Sequence, residues 1–238
     1  MRIAAISDFH IGPTERVDCF HHTPESFHQF LDGLEASHDR IVLLGDLFQS
    51  EYGAWLGSKT ESAQLLAAQR RLPTLWRRFQ SEPYTYIHGN HDAIAQQVSG
   101  ALSELRVECD GFTVYFVHGH QFDPLLQRVS AVARLSTWFS GRVRSVGLGR
   151  AADWLEYQDV SIKHRRYQGM SGPYALAATK LLREQAADLV VMGHTHVPQK
   201  LALSGGVYAN TGTCSHRQRM YVSIDTQRRS VECVRDTE

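Results

Sequence analysis

No stretch of these 238 residues approaches the run of about 18 apolar side chains that spans a bilayer, so a transmembrane segment is not expected. Charge of one sign is missing too. Lysine plus arginine and aspartate plus glutamate stand at 25 each, which removes the global field that draws polyanions and argues against nucleic acid as a partner. Cysteine is sparse, and Cys19, Cys109, Cys214 and Cys233 lie far apart with no C-x-x-C pair, which excludes a zinc ribbon and a disulfide framework. No charged-then-apolar leader precedes MRIAAISD, and with that cysteine pattern the expected location is a reducing cytoplasm. Fixed-period repeats and low-complexity tracts are absent. The apolar share of 42% is ample for a large core, and the length fits one α/β domain carrying an inserted piece.

What is present alternates. RIAAIS (2–7), RIVLLGD (40–46), YTYIHGN (84–90) and FTVYFVHGH (112–120) read as buried strands, and GVYANTG and MYVSID as later ones. PESFHQFLDGLEAS (24–37) places Phe27, Phe30, Leu31 and Leu34 at helical spacing behind a first-turn proline. A helix over 62–79 is interrupted near Pro73, and the 171–194 stretch reads as a helix feeding another strand. Residues 124–170 break this rhythm and are expected to form a helical insert.

Thirteen histidines are many for this length, and their positions matter. Five strands end on SDFH, GD, GNHD, HGH and GHTH. Carboxyl ends of strands in an α/β sheet collect along one edge, so donors scattered from residue 8 to residue 196 can converge there. Asp8, His10, Asp46 and His196 make one ligand set. Asp46, Asn90, His118 and His194 make a second, with Asp46 bridging. A shared carboxylate holds two cations roughly 3.5–4 Å apart, close enough to share an activated hydroxide that attacks phosphorus in line. Imidazole and oxygen donors without thiolate point to transition metals, manganese first, with iron, zinc or cobalt compatible. His91 is expected to bind a phosphate oxygen or protonate the leaving group, with Asp92 orienting its ring. His120 is expected in the second shell or facing the cleft, and Asn210 along the same edge. His21, His22, His28, His38, His164 and His216 belong to no motif, and most of them are expected to face solvent or lie on helix surfaces.

This ordered set, D-x-H, GD, GNHD, H and GHxH, resembles that of the calcineurin-like metallophosphoesterases. The resemblance implies two packed sheets flanked by helices in a four-layer αββα arrangement, and a dinuclear hydrolase acting on a phosphoester or pyrophosphate bond. GDLF, HGHQFD, the insert and ADLVVMGHTHVP look most like the branch containing UDP-2,3-diacylglucosamine hydrolase, where a helical lid covers an acyl-binding cleft. That branch typically carries Arg at the position of His91 and Asp at that of His120. The alternative substrates are therefore a soluble nucleotide or another small mono- or diester, and a non-catalytic metal-binding scaffold is the third reading.

The insert holds eight basic residues (Arg128, Arg134, Arg142, Arg144, Arg150, Lys163, Arg165, Arg166) against Asp153, Glu156 and Asp159, a surplus of five. Arg142, Arg144, Arg165 and Arg166, with Asn90 and His91, are the expected substrate contacts. Apolar side chains between the arginines also offer a surface for peripheral membrane contact. The sequence leaves the oligomeric state open.

Overall fold

The computed structural model describes residues 1–52, 57–124, 126, 127, 138, 141–145, 147 and 169–236. Two five-stranded mixed sheets form the body. The first has the order β10–β9–β1–β2–β3, with β1 Arg2–Ile6, β2 Arg40–Leu44, β3 Tyr84–Ile87, β9 Arg219–Asp225 and β10 Ser230–Asp236. The second has the order β4–β5–β6–β8–β7, with β4 Glu104–Cys109, β5 Phe112–Val117, β6 Leu189–Met192, β7 Gln199–Leu203 and β8 Gly206–Asn210.

The central strands are apolar on both faces because both faces are covered. Ile3, Ala5, Val42 and Leu44 of the first sheet meet Val114, Phe116, Leu189 and Val191 of the second in one buried cluster. The opposite faces pack on helices. Ala4, Ile6, Ile41 and Leu43 lie against α1 (Pro24–Ser37), α2 (Ser58–Arg71) and α3 (Pro73–Phe79). Tyr115, Val117, Val190 and Met192 lie against Tyr174, Ala178, Leu181 and Leu182 of α5 (Pro173–Glu184). A short helix, α4 (Ala95–Ser99), joins the first group.

α1 has the expected bounds: the Thr23 side chain accepts from Ser26 N, Pro24 opens the first turn, and its apolar stripe is buried. The interruption expected near Pro73 separates α2 from α3, because Pro73 offers no amide to the turn before it and instead begins α3, while α2 starts at Ser58, earlier than expected. β1, β2 and β3 run parallel, as do β5, β6 and β8, so within each sheet the strands bearing the motifs end on the same side.

Most of the expected insert over 124–170, including Arg165 and Arg166, lies outside the described residues. Residues 141–145 are helical, and a Cβ at Gly141 would collide with the Tyr52 ring, so this piece sits against the loop that follows β2. Among the described residues no helix is long and apolar enough to cross a membrane.

Candidate metal centre

Each metal-binding candidate stands one to four residues beyond its strand, and the backbone there is unusual. Asp8, His10, Asp46, His194 and His196 all have φ between 53° and 67°. Left-handed backbone costs a non-glycine residue on the order of 1 kcal/mol, and such positions gather where geometry serves a site. Close packing adds a second constraint. A Cβ at Gly193 would fall 2.5 Å from Ser7 Oγ and 2.8 Å from Asp8 Oδ2, so only glycine lets the end of β6 come this near the end of β1.

The first candidate ligand set is Asp8, His10 and His196. Asp8 Oδ2 is occupied, accepting from Ser7 Oγ and from His194 N at 3.0 Å. Its Oδ1 is buried without a hydrogen-bond partner, and it lies 3.3 Å from His196 Nε2 and 3.8 Å from His10 Nε2. The two Nε2 atoms are 3.0 Å apart. Ligands bound to one ion at about 2.1 Å stand roughly 3–3.5 Å from each other, a range that holds two of these three separations and that the 3.8 Å between Asp8 Oδ1 and His10 Nε2 slightly exceeds. Burial, then the rings of His196 and His91, push the His10 pKa down to about 3, which keeps its lone pair available. The Gln49 amide lies 2.8 Å from His10 Nδ1 and steadies the ring from behind.

The second candidate set is Asp46, His118 and His194, and Asp46 also groups with His10 and His91. His118 Nδ1 donates to Leu44 O at 2.8 Å, which fixes the tautomer and leaves Nε2 facing Asp46 Oδ2 at 3.2 Å, buried and without a hydrogen-bond partner. Burial works against a charge on His118, yet Asp46 raises its pKa to about 9. Burial likewise disfavours the Asp46 anion, but His118 and His91 hold it well below the usual carboxylate range. A site that attracts a proton this strongly attracts a cation for the same reason, and a bound metal replaces that proton. Asp46 Oδ1 accepts from His91 N at 2.8 Å. Asn90 Oδ1 is also buried and lacks a hydrogen-bond partner. Three donors left without hydrogen bonds, Asp8 Oδ1, His118 Nε2 and Asn90 Oδ1, are what a cation site looks like from the protein side, because orphaned buried polar atoms are otherwise costly. The donor set fits two divalent transition metals.

His91 faces this cluster, with Nε2 4.0 Å from Asp46 Oδ2 and its ring 5.0 Å from that of His10. Asp92 does not orient it. Its carboxylate is fully buried and accepts from Leu47 N at 2.7 Å, Gly89 N at 2.6 Å and Tyr86 Oη at 2.7 Å, tying the turn after β2 to the turn after β3. The group facing His91 Nδ1 is Glu51, with Oε2 at 3.6 Å. Ser50 holds that segment in place through two bonds to His91 O, from its amide at 3.0 Å and from its hydroxyl at 2.6 Å. His120 packs its ring 5.5 Å from that of His118, and burial and then His118 lower its pKa to about 3. It borders a cleft of about 700 Å³ that opens beside Asn90 and carries Glu51, Glu61, Gln97 and Gln121 on its walls. Asn210 is buried and donates to Gly193 O at 2.6 Å, steadying the GHTH turn. Of the expected substrate arginines, Arg142 sits over the Trp138 ring and Arg144 is buried. His38, one of the histidines mostly expected at the surface, is buried under the end of α1.

A family model described as calcineurin-like phosphoesterase matches residues 1–198. The chain belongs to the calcineurin-like phosphoesterase family. It is 27% identical over 220 residues to the UDP-2,3-diacylglucosamine hydrolase of a Shewanella species, covering 87% of this chain and 86% of that one. It is also 27% identical over 225 residues to the Bordetella pertussis protein of that name, covering 83% and 78%. In fold it resembles Vps29 of Chaetomium thermophilum, with a TM-score of 0.51 over 99% of this chain and 94% of that one at 10% identity.

In this calcineurin-like phosphoesterase, three residues at the site escape the motifs: Gln49 behind His10, Glu51 opposite His91, and Asp123, whose Oδ2 accepts from His194 Nε2 at 3.1 Å. Asp123 closes the HGHQFD stretch, so its position was visible but its partner, 71 residues away, was not.

Proposed function

We propose that the chain is a dinuclear phosphoester hydrolase whose first candidate substrate class is a nucleotide-diphospho sugar of the UDP-2,3-diacylglucosamine type, cleaved at the pyrophosphate. The observation that supports the two-ion reading is the crowding of candidate ligand groups where strand ends of both sheets meet, with Asp46 grouped both with His118 and His194 and with His10 and His91, and with three buried donors left without hydrogen bonds. Two cations in these sets, manganese being the first candidate, would supply Lewis acidity to a phosphoryl oxygen and an activated water. The protein's own part is positional. Asp8, His10 and His196 would hold one ion and His118, His194 and Asn90 the other, with Asp46 as the shared ligand.

His91 delivers a proton to the departing oxygen from Nε2, and Glu51 opposite Nδ1 keeps the ring turned that way. Asp92 acts at one remove by fixing the backbone on which Asp46 and Asn90 stand. Arg142, Arg165 and Arg166 of the insert serve as candidates for a second phosphate. Likeness to relatives named UDP-2,3-diacylglucosamine hydrolase over most of the chain supports the substrate class.

A second reading, a soluble nucleotide or small phosphodiester, draws on two features: an imidazole at residue 91, and a cleft wall that carries Glu51 and Glu61 beside amides. The deciding experiment offers acylated and deacylated nucleotide-diphospho sugars, cyclic nucleotides and aryl phosphodiesters to the Mn²⁺-loaded protein. The first reading requires kcat/KM for the acylated sugar to exceed the others at least tenfold. Preference for a diester establishes the second, and no metal-dependent turnover on any of them refutes both.

A further inference from the structure

Asp123 stands where the body of the protein passes into residues 124–170, and its two carboxylate oxygens face different partners. Oδ1 accepts from Leu126 N at 3.4 Å, and its carbonyl accepts from Gln127 N at 3.0 Å, which starts the helical turn after Pro124. Oδ2 accepts from His194 Nε2 at 3.1 Å and from the Tyr174 hydroxyl at 3.2 Å. All three side chains are buried, at 2%, 6% and 1% exposure for Asp123, His194 and Tyr174. Tyr174 belongs to the first turn of α5, where the chain re-enters the body. One carboxylate thus joins both roots of the insert to the imidazole of a candidate ligand.

We propose that Asp123 is a positioning residue for the second metal: by holding Nε2–H of His194 it turns Nδ1 toward Asp46 and His118 and so sets the affinity of that ion. This rests on the two-ion reading given above. A carboxylate behind a metal-bound imidazole fixes the tautomer, aims the lone pair and makes the ring a better donor, and losing such a partner typically weakens metal binding about 10–100-fold. The Tyr174 hydroxyl holds the same oxygen, so that Oδ2 cannot swing away from His194 without losing two bonds.

The competing explanation is that Asp123 only caps the helical turn after it. Asp123→Ser separates the two, because serine caps as well as aspartate while its shorter side chain does not reach His194. Mn²⁺-loaded wild type is first titrated with a chelator and the metal retained per chain is measured; fewer than two ions there defeats the two-ion reading itself, before any variant is made. With two ions in wild type, Asp123→Ser is expected to release one ion at about 10–100-fold lower chelator concentration and hold the other within about threefold, with Tm close to wild type. The ion released should be the one lost in His118→Ala. Asp123→Asn, which keeps an acceptor but no charge, should fall between, and Tyr174→Phe should weaken the same ion by a few fold. Unchanged release of both ions in Asp123→Ser, or equal weakening of both together with a lower Tm, overturns the proposal. Should Asp123→Ser not fold, Asp123→Asn and Tyr174→Phe decide by the same measure.

Discussion

Asp46 divides its work between two oxygens. Oδ1 is held by the His91 amide, which leaves Oδ2 for the centre, 3.2 Å from His118 Nε2. Asp46→Ala is therefore expected to abolish hydrolysis, well beyond the ~10–100-fold loss of an outer-shell change, and to leave one ion or fewer per chain by elemental analysis. Two tightly held ions in that variant would show that the bridge lies elsewhere. His91 is expected to matter in proportion to the leaving group: His91→Ala should slow alkyl or nucleotidyl esters by about 100-fold or more and activated aryl esters much less. Equal losses on both would make it a phosphate-binding group. The candidate metal donors are legible in the sequence because each follows a strand, four of the five strand ends carrying a glycine. Glu51, Gln49 and Asp123 are not, since what gives each its role is a partner reached only through the fold.

At the scale of elements, α1 ends in a histidine that the motifs passed over. His38 Nε2 lies 2.9 Å from Ser223 Oγ on β9, and Nδ1 lies 3.1 Å from Leu34 O, so the ring joins the helix end to the sheet. Burial lowers its pKa from the ordinary value of 6.5. The folded state thus takes up this proton less readily than the unfolded chain, and stability is lost as pH falls below about 6.5, while above it the ring contributes no pH dependence. Thermal midpoints between pH 7.5 and 5 should fall more steeply for wild type than for His38→Gln. Parallel curves would assign the slope to other groups.

The strands that the sequence did not announce, β4, β7 and β10, are three of the four sheet edges. Their burial is partial and interrupted by exposed charged residues such as Glu104 and Glu232. Edge strands of this kind guard against unwanted pairing, and the same feature erases the apolar run by which an inner strand is recognised.

For the whole molecule, the inner strands were legible because β1, β2, β5 and β6 are each buried on both faces and read as nearly unbroken apolar runs, whereas their arrangement in two sheets was expected only from the resemblance of the motif set to the calcineurin-like phosphoesterases. How the sheets close was not legible, since β1 pairs on one side with nearby β2 and on the other with β9, about two hundred residues further along. That placement has a consequence for synthesis. A ribosome releases β1 long before β9, and until β9 arrives one edge of this largely apolar strand stays open. The newborn chain is thus prone to self-association until β9 is made. Chains stopped after residue 215 carry every candidate metal donor but neither β9 nor β10, and they should appear in the insoluble fraction, while the chain of 238 residues stays in the supernatant. A soluble, metal-loaded product of that length would show that β9 is dispensable for closing the first sheet.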